Sequence, residues 1–193
     1  MHIRHAVPVG REEPRVLVVV NGVPGSGKTT LARRLSAATV LPHLSKDRLK
    51  DHLASTMSTE PSPAELSSLA GRVMWELVAA HPSGAIVETW FGPTGREAVE
   101  QGAARAGIDR HRVLEVWCEV PIDLARDRFR ARLGTPGRSS WLDAAGREDA
   151  YWAELSDTEP LGLARLRRVS TADVVSPAEL ADLLAEVASL RLH

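Results

Sequence analysis

Hydrophobic and polar positions alternate between two rhythms along this chain. Short, continuous apolar runs rich in β-branched residues read as strands buried on both faces of a parallel sheet. Arg15 to Asn21 (RVLVVVN) is the clearest, followed by Gly84 to Glu88 and Arg112 to Val120. Thr39 to Leu44 and Leu166 to Ser170 are weaker runs of the same kind. Between them, apolar residues recur at helical spacing. Helices are predicted from Lys28 to Ala38, from near Asp47 onward, from Ser62 to Ala80, from Gly95 to Ala106, from Pro121 to Leu133, and after Ser176. In the third of these, Leu66, Leu69, Val73 and Leu77 lie at helical spacing. Ser62-Pro63-Ala64-Glu65 and Ser176-Pro177-Ala178-Glu179 are capping boxes with proline at the first helical position. No repeat or low-complexity tract interrupts the alternation, which predicts an α/β layered fold.

Size and charge narrow the class. The chain has 193 residues, enough for one domain that buries roughly 70% of its unfolded surface without disulfides. Residues 15–193 are expected to form that domain, behind an N-terminal extension at 1–14. Lys+Arg is 24 against 25 Asp+Glu, a net charge of −1. That balance argues against bulk coating of nucleic acid, which depends on phosphate neutralisation, and leaves room for a local basic pocket. Arginine dominates the basic residues, with lysine only at positions 28, 46 and 50. Cys118 is the single cysteine, so no internal disulfide forms and a reducing cytoplasm is the expected setting. Met1 to Pro14 lacks the apolar core of a signal peptide. The run Val16–Val20 is far short of the ~20 residues that span a bilayer, so no membrane partner is expected.

One motif carries specific chemistry. Gly22-Val23-Pro24-Gly25-Ser26-Gly27-Lys28-Thr29 fits G-x-x-x-x-G-K-[ST] in full and lies between a predicted buried strand and a predicted helix. Its glycines let backbone N–H groups curl around an anion, and the helix N-terminus that follows favours phosphate. Gly22, Gly25, Ser26, Gly27, Lys28, Thr29 and Thr30 are therefore the expected nucleotide contacts. Lys28 would reach the β- and γ-phosphates of ATP, and Thr29 would give a hydroxyl to Mg²⁺. No Asn-Lys-x-Asp base-reading motif of a GTPase is present. Ala85-Ile86-Val87-Glu88 is a poor match to the apolar run plus Asp-Glu of a motor-type ATPase.

With Ser45-Lys46-Asp47-Arg48 after the second strand, Ala125-Arg126-Asp127-Arg128-Phe129-Arg130-Ala131-Arg132, and Arg138 in the loop beyond, the chain resembles the small P-loop kinases. That group includes the polynucleotide 5′-kinase domain, chloramphenicol phosphotransferase, zeta-toxin-type kinases and gluconate kinase. The resemblance implies a three-layer α/β/α fold of the nucleoside-monophosphate-kinase type. It would have a parallel sheet of about five strands and a small lid at about residues 133–150. It implies that Asp47 activates the acceptor hydroxyl and that Arg128, Arg132 and Arg138, with Arg126 as a further candidate, hold the transferring phosphate. The position of Asp47, just past a strand's carboxyl end, supports a ligand role independently; the alternative is a helix cap, and Asp51 is the fallback base.

Other positions keep two readings. Lys50 either holds the acceptor or is solvated. Glu88 either meets Mg²⁺ through water or binds an acceptor hydroxyl. Trp90 and Phe91 form either an apolar wall for a ring-bearing substrate or packing. Trp141 either lines the lid or anchors it. His43 reads as incidental and Cys118 as a buried apolar residue. The expected activity is transfer of the γ-phosphate of ATP to a hydroxyl of a small-molecule acceptor. A polynucleotide 5′-hydroxyl kinase, with nucleic acid as a less favoured partner, and a non-transferring ATP-binding regulator are the alternatives.

Overall fold

The computed structural model describes residues 14–58, 61–92, 94–132 and 148–192. Five strands form one sheet: β1 (Val16–Asn21), β2 (His43–Ser45), β3 (Gly84–Glu88), β4 (Val113–Glu119) and β5 (Arg165–Ser170). All pair in parallel, in the order β2-β3-β1-β4-β5. The helices are α1 (Lys28–Ala38), α2 (Lys46–Thr56), α3 (Pro63–Ala80), α4 (Gly95–Arg105), α5 (Ile122–Arg130), α6 (Glu148–Ser156) and α7 (Pro177–Ser189).

The strand pattern explains the layers. Side chains alternate across a strand, and β1 is apolar at every position but its last, so it is buried on both faces. Val16, Val18 and Val20 pack with Leu31 and Leu35 of α1 and Leu183 and Val187 of α7. Leu17 and Val19 pack with Met74 and Val78 of α3 and Val99 and Ala103 of α4. Each such fully buried aliphatic side chain contributes about 1.5–3 kcal/mol. The expected three-layer α/β/α fold with a five-stranded parallel sheet is what the chain adopts.

Two local differences have physical causes. The second strand begins at His43 rather than Thr39. Thr39 closes α1 instead: its hydroxyl donates to Leu35 O at 2.9 Å and accepts from Leu41 N at 3.3 Å, and Val40 is exposed. The helix α6 is an addition to the predicted set. It docks Trp152 and Leu155 onto Val23, Ala125 and Phe129, so it covers the P-loop and α5 rather than the sheet. Most of the expected lid lies outside the described residues.

Candidate active site

The sharp turn after β1 is built by glycine. Gly22, Gly25 and Gly27 have φ of 143°, 85° and 87°, which side-chain-bearing residues rarely adopt. Gly25 is also locked by space: a Cβ there would stand 2.0 Å from Ala125 O, so α5 sits directly on the loop. Gly27 caps α1 without any side-chain acceptor, which leaves first-turn N–H donors for an anion. Ser26 Oγ is buried without a hydrogen-bond partner. Thr29 is half-buried and Thr30 exposed in the first turn.

Lys28 is buried and donates from Nζ to Val23 O at 2.9 Å, closing its own loop. Burial lowers its pKa, and Arg132 adds to that; the charges of Glu88 and Asp47 oppose it, as does Cys118. Three side chains singled out from the sequence, Asp47, Glu88 and Arg132, thus each bear on the charge of Lys28. Burial pushes the Cys118 thiol up to about 12, so it is inert as a nucleophile.

Strand register arranges the carboxylates. Ser45, Glu88 and Val20 lie in one row across β2, β3 and β1 at the carboxyl edge of the sheet, where open α/β sheets bind ligands. Glu88 is only 3% exposed. Burial alone would raise its pKa, but the His43 imidazole, the Lys28 ammonium and the Ser45 hydroxyl outweigh it and hold the carboxyl below its ordinary value. His43 Nε2 stands 3.5 Å from Glu88 Oε2, too long for a good hydrogen bond and close enough for attraction. His43, read from the sequence as incidental, thus stands beside Glu88.

Asp47 stands in the first turn of α2, whose N-cap is Ser45, with Arg48 N at 3.5 Å from the cap hydroxyl. Asp47 is thus not the N-cap. Its side chain is 55% exposed and accepts from Lys50 Nζ at 3.3 Å. Lys50 itself is buried, which sets aside the solvated reading.

A chain of edge-on aromatic contacts runs from Trp90 to Phe129. Trp90 meets Tyr151 edge-on at a centroid distance of 6.5 Å, Tyr151 meets Trp152 at 5.9 Å, and Trp152 meets Phe129 at 5.6 Å. Burial raises the Tyr151 pKa, and the charge of Asp47 adds to it, so the tyrosine reaches the Asp47 neighbourhood. Trp90 Nε1 is buried without a partner. Tyr151 escaped the sequence reading because the helix that presents it was not predicted.

The arginines divide. Arg132 lies near Lys28 and donates from Nε to Arg128 O at 2.8 Å. Arg128 donates to Thr171 O at 2.8 Å and to Ala172 O at 2.5 Å, gripping the turn after β5; Gly27 faces Thr171 from the other side. Arg126 pairs with Asp149 of α6. Arg138 and Trp141 lie outside the described residues.

Sequence reading also missed a fully buried polar pair, Asn21 and Glu115. Asn21 Oδ1 accepts from Gly22 N at 2.8 Å and Phe91 N at 3.0 Å, and its Nδ2 donates to Glu115 Oε1 at 3.2 Å. Leu161 N donates to the same Glu115 oxygen at 2.9 Å. The available signal was polar residues placed inside apolar strands, Asn21 just ahead of Gly22 and Glu115 between Leu114 and Val116.

The donor set fits a magnesium nucleotide. Left-handed glycines, a helix N-terminus with no side-chain cap and a buried ammonium suit phosphates. The Thr29 hydroxyl and the Glu88 carboxylate are hard oxygen donors of the kind Mg²⁺ takes alongside phosphates and water. Among the described residues no cluster of three or more His, Cys, Asp or Glu is placed to hold a metal ion. Also among them, no helix is long and apolar enough to cross a membrane. A cleft of about 500 Å³ is lined by Val23, Trp117, Ile122, Leu155 and Arg168 but by none of Lys28, Asp47 or Glu88, so it is separate from this cluster.

Comparison with known proteins agrees with this fold. A provisionally assigned kinase from Chloroflexus aurantiacus J-10-fl superposes with a TM-score of 0.74 at 21% identity, covering 91% of this chain and 97% of that one. A gluconokinase from Sinorhizobium meliloti 1021 gives 0.61 at 17%, covering 94% and 96%. Kti12 from Chaetomium thermophilum, in complex with ADP-AlF3, gives 0.62 at 20%, covering 91% and 98%. At these identities the likeness establishes a shared fold. No curated protein matches the chain by sequence. The AAA_33 family model, described as AAA domain, matches residues 17–150; with its P-loop and the fold of these small kinases, the chain belongs to the AAA_33 family.

Proposed function

We propose that the protein is an ATP-dependent kinase that transfers the γ-phosphate of ATP to a hydroxyl of a small-molecule acceptor. One observation carries this reading: Glu88 ends β3 beside Ser45 at the carboxyl edge of the sheet, Asp47 follows Ser45 in the first turn of α2, and the charges of both bear on the buried P-loop lysine, Lys28. A nucleotide-binding regulator has no need of an exposed carboxylate beside its γ-phosphate site. Residues 15–193 act as one kinase domain in this reading, with about 133–150 as its lid.

Each residue has a role in the transfer. The P-loop N–H groups and Lys28 hold the β- and γ-phosphates. Thr29 binds Mg²⁺, which when bound neutralises phosphate charge. Asp47 orients the acceptor hydroxyl and takes its proton as the new O–P bond forms. The bond from the γ-phosphorus to its bridging oxygen breaks, and ADP leaves. Lys28 and Arg132 stabilise the charge spread over the transferring group. Arg138 is proposed to join them from the lid. Arg128, a candidate for holding the transferring phosphate, also grips the turn after β5 through Thr171 O and Ala172 O. Lys50, Glu88, Trp90 and Tyr151 line the acceptor side.

The test is the fate of labelled γ-phosphate when protein, Mg²⁺ and ATP are offered nucleosides, sugars, antibiotics and 5′-hydroxyl oligonucleotides. Label on a small molecule supports the proposal. Label on oligonucleotides alone selects a polynucleotide kinase. Tight ATP binding with no acceptor labelled selects a regulator.

A further inference from the structure

A second concavity lies apart from the cluster around Lys28. The cleft of about 500 Å³ falls inside the range of about 300–1,000 Å³ that small-molecule sites occupy. It lies at the carboxyl ends of β4 and β5, whose last residues, Glu119 and Ser170, are register partners and both line it. Open α/β sheets take ligands at that edge. The turn between β4 and α5, Val120 and Pro121, and the end of α6, Leu155 and Ser156, add to its walls.

The lining decides what fits. Trp117 and Arg168, register partners on one face of the sheet, both line the cleft. Trp117 is 6% exposed, and among the described residues its indole N–H has no hydrogen-bond partner. Buried donors are normally paired, so a ligand carrying an acceptor would complete this one. Val23, Val120, Ile122 and Leu155 add apolar surface for a ring. Arg168 spends one terminal nitrogen on Glu119 at 2.6 Å and the other on Glu159 at 2.7 Å. Two carboxylates on one guanidinium leave this side of the cleft with an excess of negative charge, which disfavours an anion.

The cleft shares one residue with the P-loop. Val23 lines it and is the second residue of the phosphate-binding motif. The Val23 carbonyl accepts from Lys28 Nζ at 2.9 Å and from Ser26 N at 3.1 Å. Trp117 is the register partner of Asn21, the residue before Gly22. We propose that this cleft is an effector site for a compact, non-anionic, ring-bearing molecule with a hydrogen-bond acceptor, and that its occupancy weakens nucleotide binding. A ligand packed on Val23 holds its carbonyl on Lys28 and so competes with phosphate for that ammonium. By reciprocity, bound nucleotide weakens the effector by the same factor. The proposal needs only nucleotide binding at the P-loop and is independent of whether phosphate is transferred.

The test uses matched probes, nicotinamide against nicotinate and indole-3-acetamide against indole-3-acetate, so that the ring is held while the charge changes. Protein labelled with ¹⁵N at tryptophan reports each indole N–H by NMR, with the Trp117 signal identified from Trp117→Phe. An amide should move the Trp117 signal and saturate with a Kd of about 1 mM or tighter, while the signal of Trp75, on α3, stays fixed. The carboxylates should bind about tenfold more weakly or worse. Trp117→Phe keeps a ring, removes the N–H and should weaken the amide by about threefold or more. Ser156→Phe, at an exposed lining position, fills the cleft and should abolish amide binding with ADP affinity unchanged. No saturable shift at Trp117 from either amide, or equal binding of amide and carboxylate, overturns the site.

Calorimetry with ADP and Mg²⁺ tests the coupling on the same protein. ADP affinity should fall by about fivefold or more as indole-3-acetamide saturates and then level off, and ADP should lower the amide's affinity by the same factor. The effect should vanish in Ser156→Phe, whose parent-like ADP binding shows that it is folded. ADP affinity unchanged or raised at saturating amide overturns the effector role. A fall that continues without levelling marks direct competition at the P-loop and overturns the separate site.

Discussion

Asn21 Oδ1 accepts a hydrogen bond from the Phe91 backbone N–H at 3.0 Å, across 70 residues of sequence. The same oxygen accepts from Gly22 N, so one amide ties the entry of the P-loop to the segment after β3 that carries Trp90. Its Nδ2 meets Glu115, which also holds Leu161 N ahead of β5.

Removing that amide leaves the buried Gly22 and Phe91 N–H groups without their acceptor. Each unsatisfied buried group costs about 1–3 kcal/mol. Asn21→Ala is expected to lose at least that much stability by urea denaturation. Glu115→Gln keeps an acceptor oxygen in place and should cost less. Equal stability of Asn21→Ala and the parent would remove the network from the account.

Glu88 sets a pH dependence. Its folded-state pKa is held below the ordinary carboxylate value, so folding is favoured by the ionised form. That contribution is complete above the unfolded pKa of about 4.3 and is lost as pH falls through the lower folded value. The stability difference between the parent and Glu88→Gln should therefore be constant from neutral pH down to about 5 and then shrink in acid. A difference that stays flat to the lowest pH at which both proteins fold would show that Glu88 makes no such contribution.

Arg128 is expected to act on nucleotide binding. It spends both terminal nitrogens on Thr171 O and Ala172 O, and hydrogen bonds from a charged donor are worth about 1.5–3 kcal/mol. Arg128→Ala should lower thermal stability and raise KM for ATP. If Arg128 instead acts on the transferring phosphate, kcat falls with KM unchanged, and steady-state kinetics separate the two.

Gly25 allows a steric test. A Cβ would stand 2.0 Å from a backbone oxygen of α5, which cannot yield without moving that helix off the loop. Gly25→Ala should lose nucleotide binding by calorimetry far more severely than Gly71→Ala, where a Cβ meets only ordinary contacts at 3.8–3.9 Å. Equal binding by both variants would contradict the packing of α5 on the P-loop.

Much of the fold was legible because its signals are local. The run VLVVVN, two proline-bearing capping boxes and the Gly-rich turn each specify their element within about ten residues. What was hidden depends on distant partners. The buried face of α6, Trp152 and Leu155, packs on α5 and the P-loop rather than on the sheet. Tyr151 was hidden with it. His43 had no motif around it; only the register of β2 against β3 places it at Glu88. The two faces of α5 were foreseeable from spacing. What each face meets, Thr171 and Ala172 for Arg128 and Asp149 for Arg126, was not.

The central claim is that Asp47 serves transfer and not nucleotide binding. It is tested most directly by measuring γ-phosphate transfer to a labelled acceptor and ATP affinity on the same preparation of Asp47→Asn. The account predicts transfer reduced by about 10²- to 10⁴-fold, the usual worth of a positioned base, with ATP affinity close to that of the parent. Transfer at the parent rate with ATP binding intact would contradict it.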